Sequence, residues 1–406
     1  MFPITEVRKQ FPSLSRTYNG KQVVYFDGPG GTQFLGSAID AMRDYMITSS
    51  ANLGAETPTS RETEEMLLKV RQDISTLFNA VECSVAFGAN ASTMMFHTAR
   101  ALARNWQPGD EIILTELDHH ANIDTWRTAA VDKGVTVKYI PLDTKTLTLD
   151  FSTLPELITT KTKFIAVGIA SNCVGTRTDV RPIVKLAKEV GAVVAIDAVH
   201  AIPHFYVDMH SLGVDMLFSS AYKFFTTHVG MAVIRNEIFK ELQVYKLAPA
   251  PDSFPDCMEI GTQNFEGVAA IPAAIDFIAS LGSGETKQSK IISGYEAIEK
   301  HEDHLADYIR DELSRLSKVR LYQAAKDVLK TPTISFRVDG MTSRDFCVRI
   351  CEEYSILIAY GDFYAMTLAK RLGISETGAF IRAGLAPYNT IEEAELFVHA
   401  AKKIIG

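Results

Sequence analysis

The sequence has 406 residues, of which 47% are hydrophobic and 22% are charged, and its formal net charge at pH 7 is −8. This length predicts two domains rather than one small core, and the apolar content excludes a disordered chain. The 41 Lys and Arg residues are scattered without a run of five or more, which argues against nucleic acid or an anionic membrane surface as a partner.

Three further features bear on the compartment. No apolar run is long enough to span a bilayer, and residues 1–21 contain no signal-peptide core. The five cysteines show no paired spacing, which fits a reducing environment. We therefore expect a soluble, cytoplasmic protein without membrane contact.

Residues 23 to about 235 alternate between short β-branched or aromatic runs and helical patterns. Strands that are apolar on both faces and separated by helices predict a mainly parallel sheet covered on both sides. Ligands bind at the carboxyl ends of such strands, so we expect the chemistry there. The strand candidates are residues 23–27, 84–88, 111–116, 135–140, 163–171, 192–197, 216–219 and 230–234, and one of the intervening helices is predicted over 64–78.

The rest of the chain has a different pattern. Residues 246–272 are rich in Pro, Gly, Asp and Gln, which is typical of a loop. Thr390 and Glu393 form the capping box of a last helix. Between them we predict a charged helix over 289–317, strands at 333–338, 356–359 and 380–385, and a helix at 343–354. The predicted division is a large domain over residues 23–265, a connecting segment over 266–288, and a small domain made of residues 1–22 and 289–406.

Lys223 directly follows a strand candidate and lies among Tyr222, Phe224 and Phe225. Desolvation by these rings would lower the pKa of the lysine and make its neutral amine a nucleophile. The alternative is an ordinary lysine whose stem packs on the rings while its ammonium group reaches water.

Asp197 ends another strand candidate. A carboxylate at a buried strand end needs a cationic or hydrogen-bonded partner, and a protonated pyridine nitrogen is one such partner. A helix-capping aspartate is the alternative.

The turn Gly88-Ala89-Asn90-Ala91-Ser92-Thr93 joins a strand to a helix that begins near Ala91. Small residues at a helix N-terminus leave backbone N–H groups free for a phosphate. The turn matches neither the P-loop nor the dinucleotide fingerprint, so a tight turn without a ligand is the alternative.

Two further segments contain candidate residues. His119 and His120 follow the strand candidate at 111–116, and adjacent histidines point in different directions, so we expect no shared metal. Either histidine could stack on an aromatic ring or act as acid and base, or it could simply pack in a turn. Arg382 lies in an apolar strand candidate, where it needs a bidentate carboxylate partner from the protein or a substrate, unless it is exposed on an edge strand.

In this order, these residues resemble the class V aminotransferase family of pyridoxal phosphate (PLP) enzymes, above all its cysteine desulfurase branch. The resemblance spans nearly the whole chain. It implies the α/β fold of PLP-dependent transferases of fold type I (aspartate aminotransferase-like), with a large, mainly parallel-sheet domain and a smaller α+β C-terminal domain. The matching motifs are Asp118-His119-His120-Ala121-Asn122, Ser171-Asn172-Cys173-Val174-Gly175-Thr176, Asp197-Ala198-Val199-His200-Ala201-Ile202-Pro203-His204, Tyr222-Lys223, Gly261-Thr262-Gln263-Asn264 and Ile381-Arg382-Ala383-Gly384-Leu385-Ala386-Pro387-Tyr388-Asn389-Thr390.

The resemblance also implies roles for the candidates. Lys223 would hold PLP as an internal aldimine and move protons at the α-carbon of the substrate. Asp197 would pair with the pyridinium nitrogen and His119 would stack on the ring, which makes these three the predicted catalytic residues. Arg382 would bind the α-carboxylate of a small amino-acid substrate.

The other implied cofactor contacts surround the ring oxygen and the phosphate. Thr262 would reach the phosphate of the other subunit, which implies a homodimer with shared active sites. No metal is expected. Asn172 and His200 would lie near the phenolic oxygen, and Asn90, Ala91, Ser92, Ser220 and Tyr222 near the phosphate; many desulfurases have Gln in place of His200 and His in place of Tyr222.

The sequence departs from the desulfurase pattern at the residue that accepts sulfur. Long-loop desulfurases have a Gly-His-His-Cys-Ala segment, whereas residues 358–365 here read Ile-Ala-Tyr-Gly-Asp-Phe-Tyr-Ala, with Tyr364 in place of the Cys. A phenol cannot form a persulfide. Cys347 and Cys351 belong to an apolar helix stripe and do not substitute for that Cys. Cys173 lies beside Asn172 in the predicted site and is kept as a thiol candidate. Family members with a similar segment are described as desulfurase-like.

We therefore predict a PLP enzyme that acts on a small amino acid by C–S cleavage or another Cβ elimination without a persulfide. Transamination and epimerisation are alternatives, because the protein chooses which bond lies perpendicular to the ring. A catalytically silent dimeric scaffold is an alternative of another class, but it would not need Lys223, Asp197, His119 and Arg382 together. A nicotinamide-dependent oxidoreductase is disfavoured because the glycine fingerprint is missing.

Overall fold

The computed structural model describes residues 2–406. The helices are α1 (Ile4–Lys9), α2 (Gly36–Thr48), α3 (Pro58–Leu77), α4 (Ala91–Ala103), α5 (Ala121–Asp132), α6 (Leu154–Leu157), α7 (Arg181–Val190), α8 (Met209–Leu212), α9 (Asn236–Phe239), α10 (Phe265–Ala269), α11 (Ile271–Ser280), α12 (Lys287–Ser314), α13 (Ser343–Tyr354), α14 (Met366–Arg371) and α15 (Ile391–Ile405). The strands are β1 (Thr17–Tyr18), β2 (Lys21–Gln22), β3 (Val24–Tyr25), β4 (Cys83–Gly88), β5 (Glu111–Thr115), β6 (Thr136–Ile140), β7 (Leu142–Asp143), β8 (Thr148–Leu149), β9 (Thr162–Gly168), β10 (Val193–Asp197), β11 (Met216–Ser220), β12 (Gly230–Arg235), β13 (Val319–Tyr322), β14 (Thr333–Val338), β15 (Ile356–Leu357), β16 (Ala359–Gly361) and β17 (Phe380–Gly384).

The predicted mainly parallel sheet is confirmed. Seven strands pair in the order β4-β12-β11-β10-β9-β5-β6, and only β12 runs against its neighbours. Alternate side chains of β9 enter different cores, because Phe164 packs on one face of the sheet and Ile165 on the other. Helices α3 and α7 cover one face, and α4 and α5 cover the other.

This topology brings the candidate residues to one edge of the sheet. Strands β9, β10 and β11 are adjacent and parallel, so their carboxyl ends lie side by side. Asp197 is the last residue of β10, and Lys223 ends a short 3₁₀ turn that follows β11. The turn between β4 and α4 reaches the same edge, since β4 points in the same direction.

The C-terminal region forms the predicted α+β unit. Its antiparallel sheet has the order β13-β14-β17-β16, and α12, α13 and α15 pack on it around Ile309, Phe346 and Phe397. The capping box of Thr390 and Glu393 is present at the start of α15. Strand β17 lies between β14 and β16, so Arg382 is on an interior strand and the edge-strand alternative is wrong.

Two local expectations differ from the structure. The strand predicted at residues 23–27 does not join the large sheet; β3 pairs with β15, and its two side chains enter different cores, Val24 that of the C-terminal region and Tyr25 that of the large sheet. The predicted domain boundary at residue 23 therefore falls where the two cores meet, and the division stays a prediction. The loop predicted over 246–272 contains α10, because Asn264 caps it and Phe265 is buried. Within residues 2–406, no helix combines the length and the apolar composition needed to cross a bilayer.

Candidate active site

Lys223 is buried at the carboxyl edge of the sheet, with 9% of its surface exposed. Its Nζ donates a hydrogen bond to the carbonyl oxygen of Pro29 and lies 4.8 Å from the ring centroid of Tyr222. Burial, followed by the nearby charge of Arg382, lowers the pKa of the lysine to about 7, although Asp197 acts in the opposite direction. The ammonium group therefore does not reach water, and a large share of the amine is neutral near pH 7.

Asp197 has no cation from the protein to balance it. Its Oδ1 accepts a hydrogen bond from the backbone N–H of Val199 at 2.8 Å, and no Lys, Arg or His among residues 2–406 forms an ion pair with it. Burial and the neighbouring Asp118 raise its pKa to about 7. The residues that follow form turns rather than a helix, so the helix-cap alternative is wrong. A cationic ligand would satisfy this carboxylate.

Asp118 precedes the two histidines and makes hydrogen bonds at the same edge of the sheet. It accepts hydrogen bonds from Asn122 Nδ2 and from the Gly168 backbone N–H, both at 2.8 Å. A Cβ at position 168 would lie 2.9 Å from Asp118 Oδ1, so only glycine allows this approach. Burial raises the pKa of Asp118 to about 6, while these hydrogen bonds oppose the shift. The carboxyl group thus ties the end of β9 to the start of α5.

His119 and His120 point in different directions, as predicted. His120 binds Asp124 Oδ2 at 2.9 Å and Thr367 Oγ1 at 3.1 Å through its two ring nitrogens. His119 accepts a hydrogen bond from the Ala121 N–H on Nδ1, so the proton of its neutral form is on Nε2. Burial and the charge of Lys223 lower the pKa of His119 to about 4. It is a flat, neutral ring at neutral pH.

The start of α4 lies against β11 and β12. Asn90 caps the helix by accepting from the Thr93 N–H at 2.9 Å, and the Ala91 N–H donates to Ser220 Oγ at 3.0 Å. Gly230 permits this contact, because a Cβ there would lie 2.2 Å from the Asn90 carbonyl carbon. The predicted residues at this helix N-terminus are therefore brought together, in a place where an anion is stabilised.

Arg382 is a buried cation with 4% of its surface exposed. Its Nη1 donates to the carbonyl oxygen of Asn172 at 2.8 Å, and its Cζ lies 3.6 Å from the ring centroid of Phe363. Burial lowers its pKa to about 10, so the guanidinium remains charged at neutral pH. No carboxylate of the described residues forms an ion pair with it, and a ligand carboxylate would be the natural partner.

The segment 361–365 closes this side of the site. The Phe363 carbonyl oxygen accepts from Asn172 Nδ2 at 2.9 Å, and the Tyr364 carbonyl oxygen accepts from the His120 backbone N–H at 2.7 Å. The ring of Tyr364 stacks on His119 with centroids 5.3 Å apart. Tyr364 thus lies beside the candidate catalytic histidine.

Three predicted residues are placed differently from the rest. His200 is buried, and its Nε2 lies 2.9 Å from Thr333 Oγ1 and 3.1 Å from Thr331 Oγ1, so this nitrogen faces the C-terminal region and only Nδ1 remains for a ligand. Tyr222 stacks on His228 with ring centroids 4.8 Å apart. Thr262 is exposed in the single chain.

All five thiols have a raised pKa. Cys173 is completely buried, and burial raises its pKa to about 12, as it does for Cys347. Burial also raises the pKa of Cys83 to about 11, and those of Cys257 and Cys351 in the same direction. The thiolate is the reactive form, so these environments suppress nucleophilic attack.

Sequence reasoning missed several residues of the site. Two of them, Asp27 and Pro29, lie on the turn after β3. The carbonyl oxygen of Pro29 accepts a hydrogen bond from Lys223, and burial raises the pKa of Asp27 to about 6. Phe363 has no sequence signal of its own beyond its place in the segment 358–365. Three glycines at 28, 30 and 31 are the signal for the turn, because such a turn lets the backbone approach a ligand closely.

These groups fit pyridoxal 5'-phosphate. A buried, partly neutral amine suits its aldehyde, a buried carboxylate without a cation suits its ring nitrogen, and a helix N-terminus suits its phosphate. A flat neutral imidazole can cover the ring face. Besides burial, the charge of Arg382 lowers the pKa values of Lys223 and His119, and Asp197 raises that of Lys223, so these groups lie close enough to interact electrostatically.

Comparisons with known proteins agree with this assignment. The family described as aminotransferase class-V matches residues 24–397. The chain is 30% identical over 414 residues to the aminotransferase-like protein FGM3 of Gibberella zeae, covering 100% of this chain and 99% of that protein. It is 29% identical to a cysteine desulfurase of Serratia proteamaculans, covering 99% and 98%. The apo structure of a cysteine desulfurase from Thermococcus onnurineus NA1 aligns with a TM-score of 0.88 at 25% identity, covering 100% and 98%, which confirms the predicted fold type.

Proposed function

The chain belongs to the class V aminotransferase family of PLP-dependent enzymes, and we propose that it cleaves a bond at Cβ of a small amino acid without forming a persulfide. The C–S bond of L-cysteine is the first candidate, because relatives are named cysteine desulfurases. One observation carries the proposal. Tyr364, rather than a thiol, lies on the segment beside His119, while the pKa of every cysteine is raised.

In this proposal, Lys223 holds the cofactor covalently, Asp197 binds its ring nitrogen and His119 covers its ring. The lowered pKa of Lys223 and the lack of an ion-pair partner for Asp197 among residues 2–406 support these two roles. Asn90, Ala91, Ser92, Ser220 and Tyr222 surround the phosphate, and Asn172 and His200 lie near the ring oxygen.

The bound cofactor supplies an electron sink that stabilises negative charge at the substrate's α-carbon. Arg382 binds the α-carboxylate and so fixes the position of that carbon. Lys223 would take the α-proton on Nζ, since its pKa of about 7 leaves a large share of the amine neutral near pH 7. The leaving group on Cβ then departs, and no protein thiol forms a bond to it.

The overall reaction with L-cysteine is cysteine plus water giving pyruvate, ammonium and sulfide, with hydrogen sulfide written neutral. The Cα–H and Cβ–S bonds break, and water replaces nitrogen at Cα after elimination. A desulfurase reaction would instead give alanine, with sulfur carried on a cysteine of the protein. The two outcomes differ in the three-carbon product, so they are separable by one assay.

We also propose a homodimer with shared sites. Thr262 is exposed in the single chain and makes none of the contacts that join the other candidates, which supports a role across a subunit interface. Light scattering of the purified protein measures this directly. A variant Thr262→Ala should lose cofactor affinity and remain a dimer by light scattering.

The experiment is a visible spectrum of the purified protein during titration with L-cysteine, with sulfide, pyruvate and alanine assayed in the same samples. A yellow protein that releases pyruvate and sulfide in equal amounts supports elimination. A yellow protein that produces alanine would contradict it, and a yellow protein without response directs the search to other amino acids. A colourless protein that cannot be reconstituted with PLP would favour the scaffold alternative.

A further inference from the structure

We propose that Phe363 is a positioning residue for Arg382, and that the segment 361–365 is a fixed wall of the substrate site rather than a mobile carrier loop. The inference deepens the proposed function, since it rests on Arg382 binding the substrate carboxylate. It is independent of which bond at Cβ is cleaved.

The first observation is the contact between the two side chains. The guanidinium carbon of Arg382 lies 3.6 Å from the ring centroid of Phe363, which is a close cation–π contact in a buried place. The ring covers one face of the planar guanidinium and prevents its rotation. A flat carboxylate needs two N–H groups in a fixed plane, so orientation matters here as well as charge.

The second observation concerns the N–H groups of the Arg382 guanidinium. Nη1 donates to the carbonyl oxygen of Asn172 at 2.8 Å. A Cβ added to Gly30 would lie 3.8 Å from Nη2, an ordinary contact distance, so the turn that contains Gly30 lies next to this nitrogen. The hydrogen bond from Nη1 is the one that this guanidinium makes among residues 2–406, so its other N–H groups are available to a carboxylate.

The third observation is that the segment is held in place. Phe363 and Tyr364 have φ values of +54° and +58°, a conformation that side chains other than glycine rarely adopt. Two hydrogen bonds to backbone carbonyls compensate for this. Asn172 Nδ2 donates to the Phe363 carbonyl, and the His120 N–H donates to the Tyr364 carbonyl. Strained residues persist only where the surrounding structure determines them.

The same segment also contacts the histidine that is proposed to cover the cofactor ring. Tyr364 stacks on His119 although 72% of its own surface is exposed in the single chain. Adjacent residues of one segment therefore each pack on a candidate active-site side chain, Phe363 on the arginine and Tyr364 on the histidine. The substrate class that follows is an α-amino acid with a free carboxylate, and amides or esters of the same amino acid are excluded.

The test is steady-state kinetics and inhibition by propionate, a carboxylate without an amine, on the holoenzyme and its Phe363→Leu variant. Leucine keeps apolar volume but has no ring face, so we expect KM and the propionate inhibition constant to rise about tenfold, with the effect falling on KM rather than kcat. The visible spectrum should stay that of the wild type. Phe363→Tyr, which keeps the ring face, should have the KM of the wild type. A merely structural role of the side chain would not require this.

The chain offers a matched control. Arg177 Cζ also lies 3.6 Å from a ring centroid, that of Phe205, in a pair that is not among the site residues. Phe205→Leu should leave KM unchanged. An unchanged KM in Phe363→Leu, with a raised KM in Arg382→Lys, would overturn the inference and leave the role of Arg382 intact. If Arg382→Lys also leaves KM unchanged, the proposed carboxylate site itself is wrong.

Discussion

The site has two sides that are built in different ways. The proposed cofactor side consists of Asp197 at the end of β10, Lys223 in the turn after β11 and Asn90 at a helix N-terminus, all at the carboxyl ends of the strands of one sheet. The proposed substrate side consists of Arg382 on a second sheet and Phe363 on a segment between strands. Main-chain topology positions the first group, and side-chain contacts position the second. Substitutions on the cofactor side should therefore abolish chemistry, whereas those on the substrate side should change affinity and selectivity.

The largest effect should follow from Lys223→Ala. The variant lacks the amine that attaches the cofactor and moves the α-proton, so we expect loss of the covalent yellow form and a fall in kcat of about 10³-fold. Visible absorbance and the protein mass after borohydride reduction measure attachment. Lys161→Ala, at an exposed lysine, is the control. A yellow Lys223→Ala protein with covalently bound cofactor would refute the assignment.

Asp197→Asn should have the next largest effect, because it removes the charge that stabilises the cofactor's ring nitrogen. A hydrogen bond to a charged group contributes about 1.5–3 kcal/mol, which predicts a loss of about 10- to 150-fold in PLP affinity. Fluorescence titration of the apoprotein measures it. Asp215→Asn is a matched control. Asp215 also accepts a backbone N–H hydrogen bond on this sheet, but it lies at the amino-terminal end of β11, away from the site. Equal losses in both variants would point to folding rather than cofactor binding.

Arg382→Ala tests the substrate side and should leave the yellow colour intact. Loss of its charged contact to a carboxylate should weaken amino-acid binding by about tenfold or more. The measurement is KM, with the spectral titration as a second readout. Arg337→Ala on the neighbouring strand β14 is the control, because its guanidinium binds a backbone carbonyl at the surface. Unchanged substrate affinity in Arg382→Ala would show that Arg382 has another role.

The smallest effect is a pH dependence of cofactor attachment. Only the neutral amine attacks the aldehyde, and the pKa of Lys223 in the protein without cofactor is lowered to about 7. The attachment rate should therefore be nearly constant above pH 8 and fall about tenfold for each unit below 7. Stopped-flow absorbance of apoprotein mixed with PLP measures this rate. A rate that continues to rise to pH 10 would mean that the lysine is not desolvated.

The difference between the two sides also explains what could be predicted from the sequence. The carboxyl ends of parallel strands lie at one edge of the sheet. A lysine and an aspartate that each follow a buried strand can therefore be assigned to one site from the order of residues alone. The contact of Phe363 with Arg382 could not be predicted, because it depends on a left-handed backbone at residue 363 and on the packing of a loop against another sheet.

Other misplaced expectations have similar causes. Residues 23–27 have the apolar pattern of a buried strand, but β3 lies between two cores and pairs with β15, a long-range choice that no local pattern contains. The hydrogen bonds of His200 Nε2 to threonines more than 130 residues away are another long-range contact that no local pattern contains, while its place near the ring oxygen stays a prediction. Helix α10 was hidden by the Gly- and Pro-rich composition around it.

The proposed reaction requires that no cysteine of the protein accepts sulfur from the substrate. The most direct measurement is to incubate the wild-type holoenzyme with L-cysteine, map persulfides on all five cysteines by tandem mass spectrometry, and quantify pyruvate and alanine in the same sample. We predict pyruvate in the same amount as sulfide, with no persulfide on any cysteine. Alanine in the same amount as transferred sulfur, with a persulfide on Cys173 or another thiol, would contradict the claim.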